Sequence, residues 1–138
     1  MADIIVGYDG SDGARAALDT AVEVGSKFGD RLVLVFGYHV QKLGGEVQDY
    51  AKALKERAEE VISHGLHQAQ AKGGPDVESV VVERPPAEAL AEVAKERGAR
   101  MIVVGSHGEA PLKGAIVGST SHKLLHLSEV PVLVVPAR

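Results

Sequence analysis

Near its amino terminus the chain reads IIVGYDGS (residues 4–11): three apolar residues, then two glycines that flank Tyr8 and Asp9, then a serine. A short apolar run bounded by turn residues is typical of a strand that is buried on both faces. Residues 11–28 follow with apolar side chains at helical spacing, between Ser11 as a suitable N-cap and Gly29 as a suitable stop. This stretch therefore predicts a buried strand that leads directly into a helix, the first unit of an α/β fold.

The same alternation continues along the whole chain. Further strands are predicted at residues 32–36, 77–82, 101–104 and 132–135, and further helices at 46–72, 85–98 and 120–128. Because the strands are apolar enough for burial on both faces, they predict a parallel sheet with helices on both sides. We expect a Rossmann-like, five-stranded sheet in the order 3-2-1-4-5. No linker or repeat interrupts the pattern, so we expect residues 1–138 to form one domain.

Composition excludes several classes of protein. The 138 residues are 45 % apolar, enough for a core, but only 4 % aromatic, and the net charge is −4. An acidic chain with few aromatic residues is not expected to bind nucleic acid. The absence of cysteine excludes disulfides, thiolate metal sites and a cysteine nucleophile. We find neither a signal peptide nor an apolar run of the roughly 18 residues that a membrane span needs, and we expect a cytoplasmic protein without membrane contact.

The glycines that follow the fourth strand suggest an anion site. Gly105-Ser106-His107-Gly108 comes directly after that strand, and Gly118-Ser119-Thr120 opens the last helix, in the spacing Gly-x2-Gly-x9-Gly-Ser. Ligands of such sheets bind beyond the carboxyl ends of the strands where the strand order reverses, here between strands one and four. The unpaired N–H groups of a helix start, together with serine and threonine hydroxyls, suit a phosphate. The alternative is that each glycine only makes a turn.

Two residues on neighbouring strand ends complete the predicted crevice. Asp9 ends strand one, where its carboxylate could accept hydrogen bonds from a ribose or face a metal bound to phosphates; alternatively it only forms a turn with Gly10. Gly37 ends strand two, where the missing side chain could admit a flat base, or simply allow a turn.

Other candidate residues carry weaker signals. Lys113 and His107 could contact a phosphate or remain on the surface. His122 and His126 have the spacing of a zinc pair on a helix, but a third ligand is not evident, and a solvated face is favoured. The sequence contains no Gly-x-Gly, no Gly-Lys and no G-x-S-x-G, which excludes the dinucleotide fingerprint, the Walker A loop and the hydrolase nucleophile elbow.

These motifs resemble the universal stress protein family over the whole chain. The resemblance rests on residues 4–11, on PAEAL at residues 86–90 and on MIVVGSHG at residues 101–108; it continues through GSTS at residues 118–121 and PVLVV at residues 131–135. The glycine spacing is similar to that of the branch of the family that binds ATP.

The resemblance implies a nucleotide-binding domain, with ATP, AMP or a related adenine nucleotide in the crevice. It implies that the ribose and phosphates are held by Gly105, Gly108, Gly118, Ser119 and Thr120. It further implies Asp9 beside the nucleoside, the backbone near Gly37 against adenine, and Mg²⁺ with the phosphates. It also implies a homodimer that pairs its last strands, Val132 to Val135, which would otherwise form an apolar edge. The alternative is a monomer whose edge is protected by Pro131 and Pro136.

Three functions remain open on the sequence. The first is a stress-response module, a homodimer whose conformation or partner depends on bound adenine nucleotide. The second is a slow ATPase, although the sequence shows no arginine finger and no carboxylate clearly placed to orient water. The third is an interaction or chaperone-like protein that does not depend on nucleotide. We expect the first.

Overall fold

The computed structural model describes residues 1–40, 47–74, 76–106 and 118–136. Five strands alternate with four helices, with the following bounds: β1 Asp3–Gly7, α1 Asp12–Phe28, β2 Arg31–Gly37, α2 Val47–Ala71, β3 Val77–Val82, α3 Pro86–Arg97, β4 Met101–Gly105, α4 Ser119–Leu127 and β5 Val132–Val135. The predicted elements are thus all present, most of them within one residue or two of their predicted ends.

The strands form a parallel sheet in the order β3-β2-β1-β4-β5, which confirms the predicted topology. The register places Ile5 beside Val33 of β2 on one side and beside Ile102 of β4 on the other. The chain leaves β1 toward β2 and later crosses back to β4, so the strand order reverses at the carboxyl ends of β1 and β4. This topology leaves an opening between the loops that follow these strands.

Alternating strand residues supply two separate apolar layers, one on each face of the sheet. Ile4 and Val6 join α1 and α2 in the first layer, and Ile5 joins α3 and α4 in the second. Ile4, Ile5 and Val6 are completely buried. The uniform burial of β1 explains why its sequence shows a continuous apolar run rather than an alternation of apolar and polar residues.

Local signals set the helix ends. The Ser11 side chain accepts a hydrogen bond from the Ala14 N–H at 3.1 Å, and Gly29 ends α1 in the left-handed conformation at φ 70°, as predicted. Helix α4 begins one residue before its predicted start, at Ser119, because Gly118 already has the extended backbone of an N-cap. It ends at Leu127 because Ser128 is extended as well.

Helix α2 departs from the expected burial. Helical spacing of the apolar residues predicts a buried stripe on α2 that includes Tyr50, yet 58 % of the surface of Tyr50 is exposed, so that expectation is wrong. Among residues 49–71, the buried positions begin at Ala58 and continue with Ile62, Gly65 and Ala69. A helix of 25 residues is about 37 Å long, whereas strands of 5–7 residues span only about 17–23 Å. The first turns of α2 therefore extend past the sheet that buries the later ones.

A network of charged side chains lies at the end of the sheet where the strands begin. The Asp30 side chain is fully buried; its Oδ1 accepts a hydrogen bond from the Ala2 N–H at 3.0 Å, and Arg100 donates to the same carboxylate. The Arg100 hydrogen bond holds the pKa of Asp30 below its ordinary value, against the opposing effect of burial. Asp3 pairs in the same way with Arg31 at 2.9 Å. Within the described ranges, no helix is long and apolar enough to cross a membrane.

Candidate functional site

A cleft with a volume of about 190 Å³ opens where the strand order reverses. The described residues that line it come from the ends of β1, β2 and β4 and from the starts of α1, α3 and α4. They are Gly7, Tyr8, Asp9, Ser11, Ala14, Val35, Gly37, Pro86, Leu90, Val104, Gly105, Ser106, Gly118, Ser119, Thr120 and Ser121. The position is the one that the topology predicts for a ligand.

The wall at the end of β4 depends on a close approach of two backbones. A Cβ atom on Gly105 would lie 2.6 Å from the carbonyl carbon and oxygen of Gly13 in α1. Only glycine at position 105 therefore allows α1 to pack this closely. The Gly105 carbonyl accepts a hydrogen bond from the hydroxyl of Ser121 at 2.7 Å, and Ser121 is only 2 % exposed. This hydrogen bond fixes the first turn of α4 against the end of β4.

The start of α4 lines the cleft with backbone donors that have no acceptor within the helix. The Gly118 N–H donates to the carbonyl of Ser106, and the Gly118 carbonyl accepts from the His122 N–H at 2.9 Å, closing the first helical turn. The N–H groups of Ser119, Thr120 and Ser121 therefore have no acceptor within the helix, and Gly118 has no side chain to cap them. These donors lie at the positive end of the helix dipole, so the geometry suits an anion.

Asp9 has a turn-forming role as well as a place in the cleft. Its Oδ1 accepts a hydrogen bond from the Ser11 N–H at 3.0 Å, which shapes the turn between β1 and α1. The side chain is half-buried and lines the cleft. The turn-forming alternative is therefore confirmed, and the role of Asp9 in binding stays a prediction. Gly10 follows with φ 84°, a conformation that favours glycine.

Gly37 is explained in the structure by packing. A Cβ atom at this position would lie 2.9 Å from the Cβ of Ala89 and 2.9 Å from the Cα of Pro86. The missing side chain thus lets the first turn of α3 approach the end of β2. Gly37 nevertheless lines the cleft. The sequence showed that a glycine mattered here, but the contact partner in α3 was not foreseen.

The cleft therefore brings together six of the residues singled out in the sequence: Asp9, Gly37, Gly105, Gly118, Ser119 and Thr120. Their role in binding stays a prediction. Gly108, His107 and Lys113 lie outside the described residues. His122 and His126 are exposed on α4 with ring centroids 5.3 Å apart. The described ranges contain no group of three side chains that could hold a metal ion.

Sequence reasoning missed the contribution of α3. Pro86 lies against Gly37 at the end of β2 and Leu90 against Gly7 at the end of β1, and both line the cleft. They lie four residues apart on one face of the helix. Helical spacing could have shown that they share a face, but only the fold places that face over the crevice. The structural role of Ser121 was missed as well, because its partner, the Gly105 carbonyl, is a backbone group.

The electrostatic character of the cleft is set by backbone donors. Asp9 is the one carboxylate among the described lining residues, and these include no lysine or arginine. Burial raises the pKa of the Tyr8 phenol, so this group is neutral near pH 7. An anion in the described part of the cleft would therefore be held by N–H groups and hydroxyls, as at other helix starts.

Comparison with known proteins assigns the chain to a family. The model of the universal stress protein family matches residues 1–136. Universal stress protein YxiE from Bacillus subtilis is 34 % identical over 96 % of this chain and 97 % of its own length. The chain belongs to the universal stress protein family. Universal stress protein Rv2005c from Mycobacterium tuberculosis is 36 % identical, but this chain spans only 45 % of that relative's length.

A solved member of the family resembles this universal stress protein in its tertiary structure. It is a universal stress protein crystallised in complex with cAMP; it is 27 % identical, with a TM-score of 0.80. The alignment covers 99 % of this chain and 98 % of that one. This chain therefore has the fold of its family.

Proposed function

We propose that this universal stress protein binds an adenine nucleotide, with ATP as the expected ligand, in the cleft between β1 and β4. Residues 1–138 would act as one nucleotide-binding domain, and a homodimer of this domain would change its conformation or its choice of partner with the bound nucleotide. AMP or a related adenine nucleotide is the alternative ligand at the same site. The protein would then act as a regulatory module in a stress response.

The observation that carries the proposal is the start of α4. The N–H groups of Ser119, Thr120 and Ser121, which have no acceptor within the helix, adjoin two side-chain hydroxyls, those of Ser119 and Thr120, at the rim of the cleft. A phosphate binds such a helix start through short hydrogen bonds and through the dipole. Gly105 and Gly118 line the cleft beside these donors. Gly108, the remaining predicted contact, lies outside the described residues.

The rest of the cleft suits the nucleoside. Asp9 offers a carboxylate to ribose hydroxyls, and Gly37 and Pro86 border the cleft with backbone and apolar surface against which a flat base can lie. Support also comes from the relative with 27 % identity, which was solved in complex with cAMP, an adenine nucleotide. A nucleotide with its base at β2 and its phosphates at α4 would thus span the cleft.

The residues present fit Mg²⁺ that is held mainly by the nucleotide. Mg²⁺ prefers oxygen ligands and often keeps several waters while bound by one or two carboxylates and by phosphates. Asp9 is the one carboxylate that the described lining residues offer. When bound, the ion would neutralise phosphate charge, while the chain's own contribution would be the N–H groups of α4 and the Asp9 carboxylate.

Calorimetric titration of the nucleotide-free protein with ATP and Mg²⁺ tests the proposal. We expect saturable binding, and Asp9→Asn should weaken it while leaving the turn intact, because asparagine retains an oxygen that can accept from the Ser11 N–H. Mass spectrometry of the denatured protein should show a co-purified adenine nucleotide. A flat titration together with no co-purified nucleotide would contradict the proposal and favour a nucleotide-independent interaction protein.

The proposed homodimer rests on the edge strand β5. β5 pairs with β4 on one side only and lies at the end of the sheet. Leu133 is 37 % exposed, and the neighbouring valines, Val132, Val134 and Val135, are half-buried. An apolar edge of this kind promotes association unless it is covered. Antiparallel pairing of Val132–Val135 about a two-fold axis would cover it.

The register of β5 offers a direct test of the dimer. The carbonyls of Pro131 and Val135 accept hydrogen bonds from the β4 side of the strand. Backbone groups of successive strand residues point in alternate directions, so the N–H of Val134 points toward the open edge. Val134→Pro removes that donor, and proline is tolerated on an edge strand when its missing N–H faces outward. We expect a monomer by light scattering for Val134→Pro and a dimer for the control Val134→Ala. Equal masses for both variants would contradict pairing through β5.

A further inference from the structure

An ion pair joins the two helices whose first turns border the cleft. Lys123 Nζ of α4 lies 2.7 Å from Oε1 of Glu88 in α3. Glu88 follows the cleft-lining Pro86 by two residues, and Lys123 follows the cleft-lining Ser119 by four. Glu88 therefore lies in the first turn of α3, and Lys123 lies about one turn after the start of α4.

The position of Lys123 on α4 brings its charge within reach of the helix start. Residues four apart share a helix face, with Cβ atoms about 5–6 Å apart, so Lys123 and Ser119 are neighbours. Helical side chains also lean toward the N-terminus. The long lysine chain can thus place its ammonium beside Ser119, and 58 % of this side chain is exposed and free to move.

Glu88 holds the lysine weakly enough for it to be released. One of its carboxylate oxygens pairs with Lys123, while Oε2 is buried and has no hydrogen-bond partner in the described part of the chain. The hydrogen bond from Lys123 keeps the pKa of Glu88 below its ordinary value, so the carboxylate is charged near pH 7. A partly exposed pair of this kind contributes little net free energy, and a polyphosphate can compete for the lysine.

The described lining of the cleft contains no cationic side chain, although a nucleoside triphosphate carries several negative charges. Backbone donors at α4 suffice for one phosphate group. A longer phosphate chain that extends past the helix start can use positive charge in addition to that of Mg²⁺, and Lys123 lies on that face of α4.

We propose that Lys123 contacts the terminal phosphates of a bound nucleotide and makes the site prefer a polyphosphate over a monophosphate, with Glu88 holding Lys123 in position while the cleft is empty. This inference rests on the proposed nucleotide binding and adds the preference for phosphate-chain length. Glu88 is a positioning residue, because it acts only through Lys123.

The test compares the affinities for ATP and AMP of the wild type, Lys123→Met and Glu88→Gln by calorimetry in the presence of Mg²⁺. Lys123→Met should weaken ATP binding about 3- to 10-fold and leave AMP binding unchanged, which is the range for one partly exposed charge contact. Glu88→Gln keeps an oxygen for the lysine but removes the competing charge, so ATP binding should strengthen about 2-fold.

Lys95→Met is the matched control. Lys95 also pairs with a carboxylate, that of Glu129 at 3.4 Å, and it lies in the last turn of α3, at the other end of that helix from Pro86. Its removal changes net charge equally and should leave the ATP-to-AMP affinity ratio unchanged. If Lys123 has a purely structural role, Lys123→Met should weaken the binding of ATP and AMP equally. An ATP-to-AMP affinity ratio that Lys123→Met leaves unchanged would therefore overturn this inference but not the proposed nucleotide binding. If the wild type binds neither nucleotide, both this inference and the proposed function are overturned.

Discussion

Replacement of Ser119 by proline would isolate one backbone donor of the proposed phosphate site. Ser119 is the first residue of α4, a position where proline is tolerated because its N–H has no acceptor within the helix. The preceding Gly118 has φ −68° and ψ 168°, the extended backbone that a residue before proline prefers. Ser119 is exposed, so the ring has room. Proline therefore removes the donor and spares the helix.

The magnitude follows from the kind of hydrogen bond that is lost. A hydrogen bond to a charged group contributes about 1.5–3 kcal/mol, which corresponds to about 10- to 150-fold weaker nucleotide binding. The variant also loses the Ser119 hydroxyl, so Ser119→Ala is the matched control. The difference between the two variants then measures the loss of the N–H group together with any steric effect of the proline ring, and their thermal midpoints should agree with the wild type within about 3 °C.

Calorimetric titration with ATP gives the affinities, and thermal unfolding checks the fold. We expect Ser119→Pro to bind clearly more weakly than Ser119→Ala, with both folded. Equal affinities for the two folded variants would refute the assignment of phosphate to the start of α4, because only the proline variant lacks the N–H donor of residue 119.

Three further changes test how the cleft and the sheet are held together. Gly105→Ala would place a methyl group against the backbone of Gly13 and should lower the free energy of unfolding by about 1–3 kcal/mol or more, measured by urea denaturation. Ser121→Ala leaves the Gly105 carbonyl without its hydroxyl donor and should cost about 1–3 kcal/mol in the same assay. Asp30→Asn should cost about 2–3 kcal/mol at pH 7, because it breaks a buried pair whose partner, Arg100, is partly exposed. Because the pKa of Asp30 is lowered by folding, its contribution is present above the unfolded value of 3.8 and is lost as the pH falls through the folded value, so urea unfolding at pH 3 should show a smaller deficit. An undiminished deficit at pH 3 would show that charge is not the cause.

Strands and helices were predictable because their signals are local. β3 was predicted at the residues where it occurs, since its apolar side chains and the flanking Pro75 and Glu83 are visible in the sequence. Helix α1 begins and ends at Ser11 and Gly29, whose capping preferences act over only a few residues. Tyr50 shows the limit of such reasoning: periodicity places it on the apolar face of α2, but the sheet is too short to cover it.

The candidate site was predictable only in part. The glycine spacing indicated a helix start that faces a strand end, and topology rules placed it beside Asp9. The packing reasons for Gly37 and Gly105 were not visible, because they depend on Ala89 in α3 and Gly13 in α1. The ion pair of Glu88 with Lys123 was hidden for the same reason, since 34 intervening residues separate its members.

The alternation of strands and helices, the parallel sheet with its strand order, and the end of the sheet at which a ligand would bind all follow from the amino-acid sequence. Hydrophobic periodicity, capping and the handedness of strand–helix–strand units act locally or by general rule, so one sequence suffices to show them. The folded molecule was needed to show which backbones touch at the glycines, how far α2 extends past the sheet, and which charges meet between α3 and α4. Those features depend on distances between segments remote in the chain, and these distances are set when the two apolar layers pack.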